Sequence, residues 1–370
     1  MVNKKFWATA FTLTGTIIGA GILGLPYVFS RAGFLTGLFW IISLGLIMIL
    51  TNLYLGEITL KTKQTLHLKG LAEKYLGGKS AKLMLLAVMF GVYSALIAYL
   101  IGEGQSFSQI FTGTTQYAIY FALGFWLIMT LLLREGLKGL KKIATWGVIA
   151  IIILIISIFI IFIPKTNLSN LNYNNKAQFF LPFGVVLFAL LGFTSIPELR
   201  REIKGQEKQL KKAIIIGSLI PIILYLIFSF TFVSVLGTKV PEVATLAFGK
   251  IIILLGIFTM LTSYFILSFA LKDIFKFDIK AKKATSFFWV SLLPLILYLL
   301  ISFFNIAGFV KVLGIGGVIS GGITGILILL MNKKAKQKSN RKSEYQIKIN
   351  WPIIIILSLI FVLGIVVELV

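Results

Sequence analysis

The chain has 370 residues, 58% hydrophobic and 13% charged, with 36 Lys and Arg against 12 Asp and Glu for a formal charge of +24. Long apolar runs broken by short basic stretches exclude a soluble α/β enzyme and describe an integral membrane protein. The charge does not imply nucleic acid, because the basic residues lie between apolar runs rather than along one amphipathic face, and the absence of cysteine removes disulfides and thiolate metal sites.

At roughly 20 apolar residues per crossing, spans are expected at 6–30, 35–60, 82–107, 115–133, 143–163, 178–199, 213–236, 248–271, 285–304, 309–331 and 351–369, eleven in all. No cleavable signal peptide and no separate soluble domain are expected: the run after Met1 to Lys5 is too long for a signal and continues into a glycine-rich interruption. That interruption, TGTIIGAGILGLPYVFSR from Thr14 to Arg31, places Gly15, Gly19, Gly21, Gly24 and Pro26 in the first span. Glycine and proline break the helix there, and in hydrocarbon each freed N–H or C=O is costly unless something satisfies it. Thr16, Gly19, Ala20, Gly21 and Ile22 are therefore expected to form half of a binding site. Gly15-x-x-x-Gly19 alone would read as close helix packing. The added Gly21, Gly24 and Pro26 ask for more.

Charged residues at membrane depth are functional by default. Glu103, late in the third span beside Gly102, Gly104 and Gln105, is an outer-vestibule acid or a proton carrier; its plainer reading is a carboxylate solvated at the interface. Glu57 near Lys61, and Glu198 near Arg200 and Arg201, suit ion pairs of an inner gate, or simply anchors for helix ends. Segments 61–81 and 332–350 are too polar to enter the membrane, and Lys333 to Lys348 reads as a basic loop facing anionic lipid.

A second interruption lies in the sixth span, FFLPFGVVLFALLGFTSIPELRREIKG, where Gly192 precedes Pro197 by the five-residue step that separates Gly21 from Pro26. Two broken helices at corresponding places in two five-helix halves point to an inverted-repeat transporter with its site near the midplane. Phe188 and Phe193 are candidates to close over a substrate, although most of the 32 Phe must face lipid or other helices. In the eighth span Thr259, Thr262 and Ser263 put hydroxyls on one helix face, for an ion or for a helix–helix hydrogen bond. The tenth span, GFVKVLGIGGVISGGITG, reads as close packing.

Alternate connections hold 30 and 6 of the 36 basic residues, which predicts a cytoplasmic amino terminus and an outside carboxyl terminus in the cell membrane. With one His in a basic loop, no Cys and no clustered acids within the spans, an enzyme, which needs an acid–base pair, a nucleophile–base pair or a metal cluster, is not expected.

The runs GTIIGAGILGLPY, AYLIGEGQSFSQIF (Ala98 to Phe111) and FALLGFTSIPELRREIKG resemble the amino acid/auxin permease family and the related aromatic amino acid permeases, within the amino acid-polyamine-organocation superfamily. The resemblance implies an all-α LeuT-type fold. Two inverted five-helix halves, about 6–163 and 178–331, would carry broken helices 1 and 6, and residues 351–370 would add an eleventh helix. It further implies a secondary amino acid transporter working by alternating access, with an exchanger or a non-transporting amino acid sensor as the alternatives. The substrate carboxylate would meet free N–H groups at Gly19, Ala20, Gly21 and Ile22, and its ammonium the carbonyls around Phe188 to Gly192 and Thr194. In sodium-coupled relatives of this fold a hydroxyl pair joins first-helix carbonyls around Na+; here that implies Thr262 and Ser263, with Thr259 beside them, and Gly15 and Ile18. Some proton-coupled relatives carry a lysine in the fifth helix, which Ile143 to Ile163 lacks. The coupling ion stays open between Na+ and H+, no other cofactor is expected, and the partners are an amino acid and the bilayer.

Overall fold

Inside hydrocarbon, backbone groups find no water, so a spanning chain satisfies them within helices. The computed structural model describes residues 4–135, 140–279, 281–339 and 341–369, and among these the only β pairing is an isolated bridge between Gly33 and Asn174. The helices are α1 (Lys4–Ile17), α2 (Gly21–Ala32), α3 (Phe34–Lys61), α4 (Leu68–Leu76), α5 (Gly78–Thr112), α6 (Ala118–Glu135), α7 (Leu140–Phe162) and α8 (Leu181–Ala189). There follow α9 (Ile196–Glu202), α10 (Leu210–Leu236), α11 (Lys250–Asp273), α12 (Lys283–Phe287), α13 (Leu293–Phe303), α14 (Phe309–Gly316), α15 (Gly322–Lys338) and α16 (Trp351–Leu369).

Eight helical stretches among the described residues are long and apolar enough to cross a membrane, or nine when α1 and α2, bent by 58° at their break, count as one. The expected spans 115–133 and 143–163 fall on α6 and α7, whose described apolar stretches, Ala118–Leu133 and Ile151–Lys165, are shorter. Two connections depart from expectation. Segment 61–81 contains α4, which buries Leu68, Leu71, Ala72 and Tyr75 at helical spacing. The polar segment 332–350 is not a free loop: α15 runs on to Lys338, and 341–350 forms an extended strap whose residues largely alternate between partly buried and exposed.

The basic segments gather at one end of the bundle. Lys5 Nζ donates to the Lys204 carbonyl (3.0 Å), Arg200 to Thr62 (2.6 Å), Lys272 to Leu133 (2.9 Å) and Arg341 to Leu60 (2.6 Å). At the opposite end the Asn175 N–H donates to Ala32 (3.1 Å), and the Val310 N–H to Glu242 (3.2 Å).

The two sequence halves interlock, with α1 on α10, α2 on α8, and α5 on α11 and α14. Glycine permits the closest of these approaches. A Cβ at Gly317 would overlap the Gly184 carbonyl oxygen and lie 2.7 Å from the Phe188 nitrogen, and one at Gly316 would overlap Ser94. Between Gly317 and Gly321 the helix widens by one residue, a local looping-out. The glycine run of the tenth span thus seats that helix directly on α8 and α5.

Gly317→Ala is expected to cost about 1–3 kcal/mol by overpacking. Gly78→Ala, with no atom within 4 Å of its added methyl, should change stability by less than about 0.5 kcal/mol. Thermal melting of the purified variants checks the difference.

Candidate functional site

The first break spans Ile18, Gly19 and Ala20. The Ile18 N–H still reaches the Thr14 carbonyl (2.9 Å), and the helix restarts with the Leu23 N–H on Ala20 (3.0 Å). Between these, the N–H groups of Gly19 and Ile22 and the carbonyls of Gly15, Thr16, Ile18 and Gly19 enter no backbone hydrogen bond among the described residues. The N–H groups of Gly21 and Ile22 lie in the first turn of α2, at the positive end of its dipole. The Ala20 N–H points to the Tyr99 hydroxyl at 3.3 Å. Thr16 is exposed and its hydroxyl donates back to Thr12.

The second break runs from Leu190 to Ser195. Its carbonyls are less open than expected, because the Phe188 carbonyl accepts the Leu191 N–H, the Gly192 carbonyl accepts the Ser195 N–H and hydroxyl, and the Ala189 carbonyl accepts a side chain. The carbonyls of Leu190 and Leu191 accept no hydrogen bond from the backbone or, among the described residues, from a side chain. Thr194 is exposed and Phe193 buried, while half-buried Phe188 lies against Gly316 and Gly317. Gly192 faces Leu13 and Ile17 of α1.

The two breaks touch. A Cβ on Gly21 would fall 2.5 Å from both the Cα and the Cβ of Ala189, so the start of α2 meets the end of α8 with no room for a side chain on Gly21. Beside this contact the Tyr225 hydroxyl, from α10, lies within donating distance of both the Ile17 carbonyl (2.8 Å) and the Ala189 carbonyl (3.0 Å). These are the last residues of the two helices that stop at the breaks. One hydroxyl proton therefore serves both ends. Tyr99 and Tyr225 escaped the sequence reading; the available signal was a phenol in the middle of an apolar span, where it must find a partner.

The expected cation ligands are brought together only in part. Thr259 donates its hydroxyl proton to Leu255 (2.9 Å) and Thr262 to Phe258 and Thr259 (both 3.0 Å), which leaves their lone pairs outward. Ser263 hydrogen-bonds Tyr99, the side chain that faces Ala20. Gly15 faces Val148 of α7.

Glu103 overturns the expectation of a solvated interfacial acid. Its side chain is 0% exposed, and neither carboxylate oxygen has a hydrogen-bond partner. It sits one helical turn beyond Tyr99 on the same face of α5. Glu57 is equally buried but partnered: its Oε1 makes no hydrogen bond but lies 3.7 and 3.8 Å from the ammonium groups of Lys61 and Lys336, and its Oε2 accepts from the Ile347 N–H (3.1 Å) and the Asn332 amide (3.4 Å). Next to it the Tyr345 hydroxyl donates to Leu53 (2.8 Å); burial, with the Glu57 charge second, pushes this phenol well above its ordinary range and keeps it a donor. Glu198 pairs with Arg201, whereas Arg200 turns to Thr62. Glu57 and Glu198 thus belong to separate clusters. No group of three or more His, Cys, Asp or Glu converges among the described residues.

The model of the tryptophan/tyrosine permease family matches residues 2–245, which include both breaks, Tyr99, Glu103 and Tyr225. The chain is 26% identical over 319 residues, 80% of its length and 81% of the relative's, to a protein named glutamine transporter 2 of Aliivibrio fischeri. It is 24% identical over 236 residues, 61% of its length, to tyrosine-specific transport system 2 of Haemophilus influenzae, and spans 57% of that relative. Tyrosine-specific transport system 1 of the same organism is 25% identical over 230 residues.

Tyr225→Phe should cost about 1–3 kcal/mol, because two buried carbonyls lose their donor. Tyr99→Phe, at a longer contact, should cost about 0.5–1.5 kcal/mol. Unfolding measured side by side tests the order, and equal or reversed costs would remove the shared-clasp reading of Tyr225.

Proposed function

The chain belongs to the tryptophan/tyrosine permease family, and from that membership we propose that it is a secondary active amino acid permease working by alternating access. The family and the relatives are transporters rather than enzymes. The observation that carries the reading is the backbone of the two breaks: N–H groups at Gly19 and Ile22 that enter no backbone hydrogen bond lie across the Gly21–Ala189 contact from carbonyls at Leu190 and Leu191 that accept none. An amino acid brings a carboxylate for the first set and an ammonium for the second, so the zwitterion needs no charged side chain. Phe188 and Phe193 would flank its side chain, and Thr194 the ammonium. The relatives are named for glutamine and tyrosine; the substrate proposed here is a neutral amino acid of that kind.

In this reading the fold is of the LeuT type, with ten helices in inverted halves of about 6–163 and 178–331 and α16 as an eleventh helix. The basic end faces the cytoplasm of the cell. For coupling, Glu103 is the proton carrier: an isolated carboxylate in the interior is costly as an ion and has no partner that would make it structural. Sodium is the second reading, favoured by the unpartnered carbonyls of Gly15 and Ile18 and the outward lone pairs of Thr259 and Thr262.

Proteoliposomes loaded under a proton gradient should accumulate labelled glutamine or tyrosine. In Glu103→Gln, accumulation should fall at least about tenfold while exchange of internal for external substrate persists. Accumulation driven by sodium alone, and weakened in Thr262→Ala, would replace the proton reading with the sodium one. Exchange without accumulation under either gradient in the parent chain would make it an exchanger, and neither uptake nor exchange in folded protein would favour a sensor. Because the chain has no cysteine, Lys204→Cys and Lys176→Cys report orientation: an impermeant thiol reagent applied to intact cells should label Cys only at position 176.

A further inference from the structure

At the basic end, where the strap 341–350 crosses the end of α3, lies a cavity of about 350 Å³ lined by Lys61, Ser339, Arg341, Lys342 and Gln346. Every lining side chain carries a hydrogen-bond donor, three are cationic, and no carboxylate lines it. The nearby acids cancel only part of the charge. Glu57 is shared between Lys61 and Lys336, Glu344 pairs with Arg341, and Lys342 enters no ion pair among the described residues. Arg200, capping Thr62 close to Arg341, adds a further guanidinium.

The cavity is a built feature rather than a diffuse basic surface. Arg341 is held on the Leu60 carbonyl, the Lys336 ammonium on the Ile347 carbonyl, and the Tyr54 hydroxyl on the Lys348 carbonyl (2.9 Å), so the strap is fixed at several points on α3 and α15. The strap leads directly into α16 at Trp351, whose exposed ring lies under the Lys333 ammonium at 3.4 Å from its centroid. A half-exposed Trp beside a lysine marks the level of the membrane–water interface.

We propose that this cavity binds a phosphate-ester oxyanion, supplied by the headgroup of an anionic phospholipid in the leaflet at the basic end. Lys61, Arg341 and Lys342 neutralise the oxyanion, Ser339 and Gln346 complete its hydrogen bonds, and the acyl chains lie in the bilayer beside the start of α16. Basic pockets at this level suit anionic headgroups. The site is independent of the transport reading and needs no transport assay.

Native mass spectrometry of the full-length, delipidated protein tests it, with phosphatidylglycerol titrated against phosphatidylcholine and glycerol 3-phosphate as a soluble arm. Phosphatidylglycerol should bind at least about fivefold more tightly than phosphatidylcholine. Lys342→Gln, an exposed position, should lower that affinity about fivefold, while Lys283→Gln, exposed on α12, should leave it unchanged. Equal binding of both lipids, an unaffected Lys342→Gln, or equal losses in the two variants would overturn the site. Glycerol 3-phosphate bound as tightly as the lipid, and lost in Lys342→Gln, would keep the oxyanion site and overturn its lipid source.

Discussion

A backbone polar group freed inside hydrocarbon must find a partner in the protein, in a cavity or in a ligand. That constraint orders the centre of this molecule. The first and sixth spans both stop short, at Ile17 and Ala189, and each leaves a carbonyl facing inward. One phenol, Tyr225, lies within donating distance of both, and Gly21, with no side chain of its own, lets the breaks meet at Ala189. What is left without a backbone partner is a set of N–H groups and carbonyls at the first break and the carbonyls of Leu190 and Leu191 at the second, polar groups that a zwitterion can meet.

Two buried glutamates show how burial alone fails to assign a role. Glu57 sits among two ammonium groups, an amide and a backbone N–H, supplied by α3, α15 and the strap, and so belongs to the architecture of the basic end. Glu103 has the same exposure and none of the partners. In an apolar surrounding the first arrangement stabilises a charge, and the second makes the charged form costly, which is why the second suits a group that exchanges a proton.

The strap has a similar lesson about basic segments. Counted by composition, Lys333 to Lys348 is a loop too polar for the membrane. Yet Tyr345, Ile347 and Arg341 fold back onto α3, closing over Glu57 and enclosing the cationic cavity. Composition places such a segment outside the bilayer; it does not reveal what the segment covers.

The sequence by itself determined the membrane class, the positions of the long apolar helices and both interruptions, because apolar length and the backbone chemistry of Gly and Pro are local properties. The likeness of its first, third and sixth spans to amino acid permeases was legible for the same reason, and the family match over residues 2–245 agrees with the aromatic side of that likeness. Only the tertiary structure decided which carbonyls at the second break are occupied, since Phe188, Ala189 and Gly192 are satisfied by neighbours near in the chain or by a tyrosine 36 residues away. It also decided that Glu103 is buried, that Tyr99 and Tyr225 stand at the breaks, and that α4 and the strap are ordered. These depend on which helices meet and at what distance, and residues far apart in the chain carry no local signal of meeting.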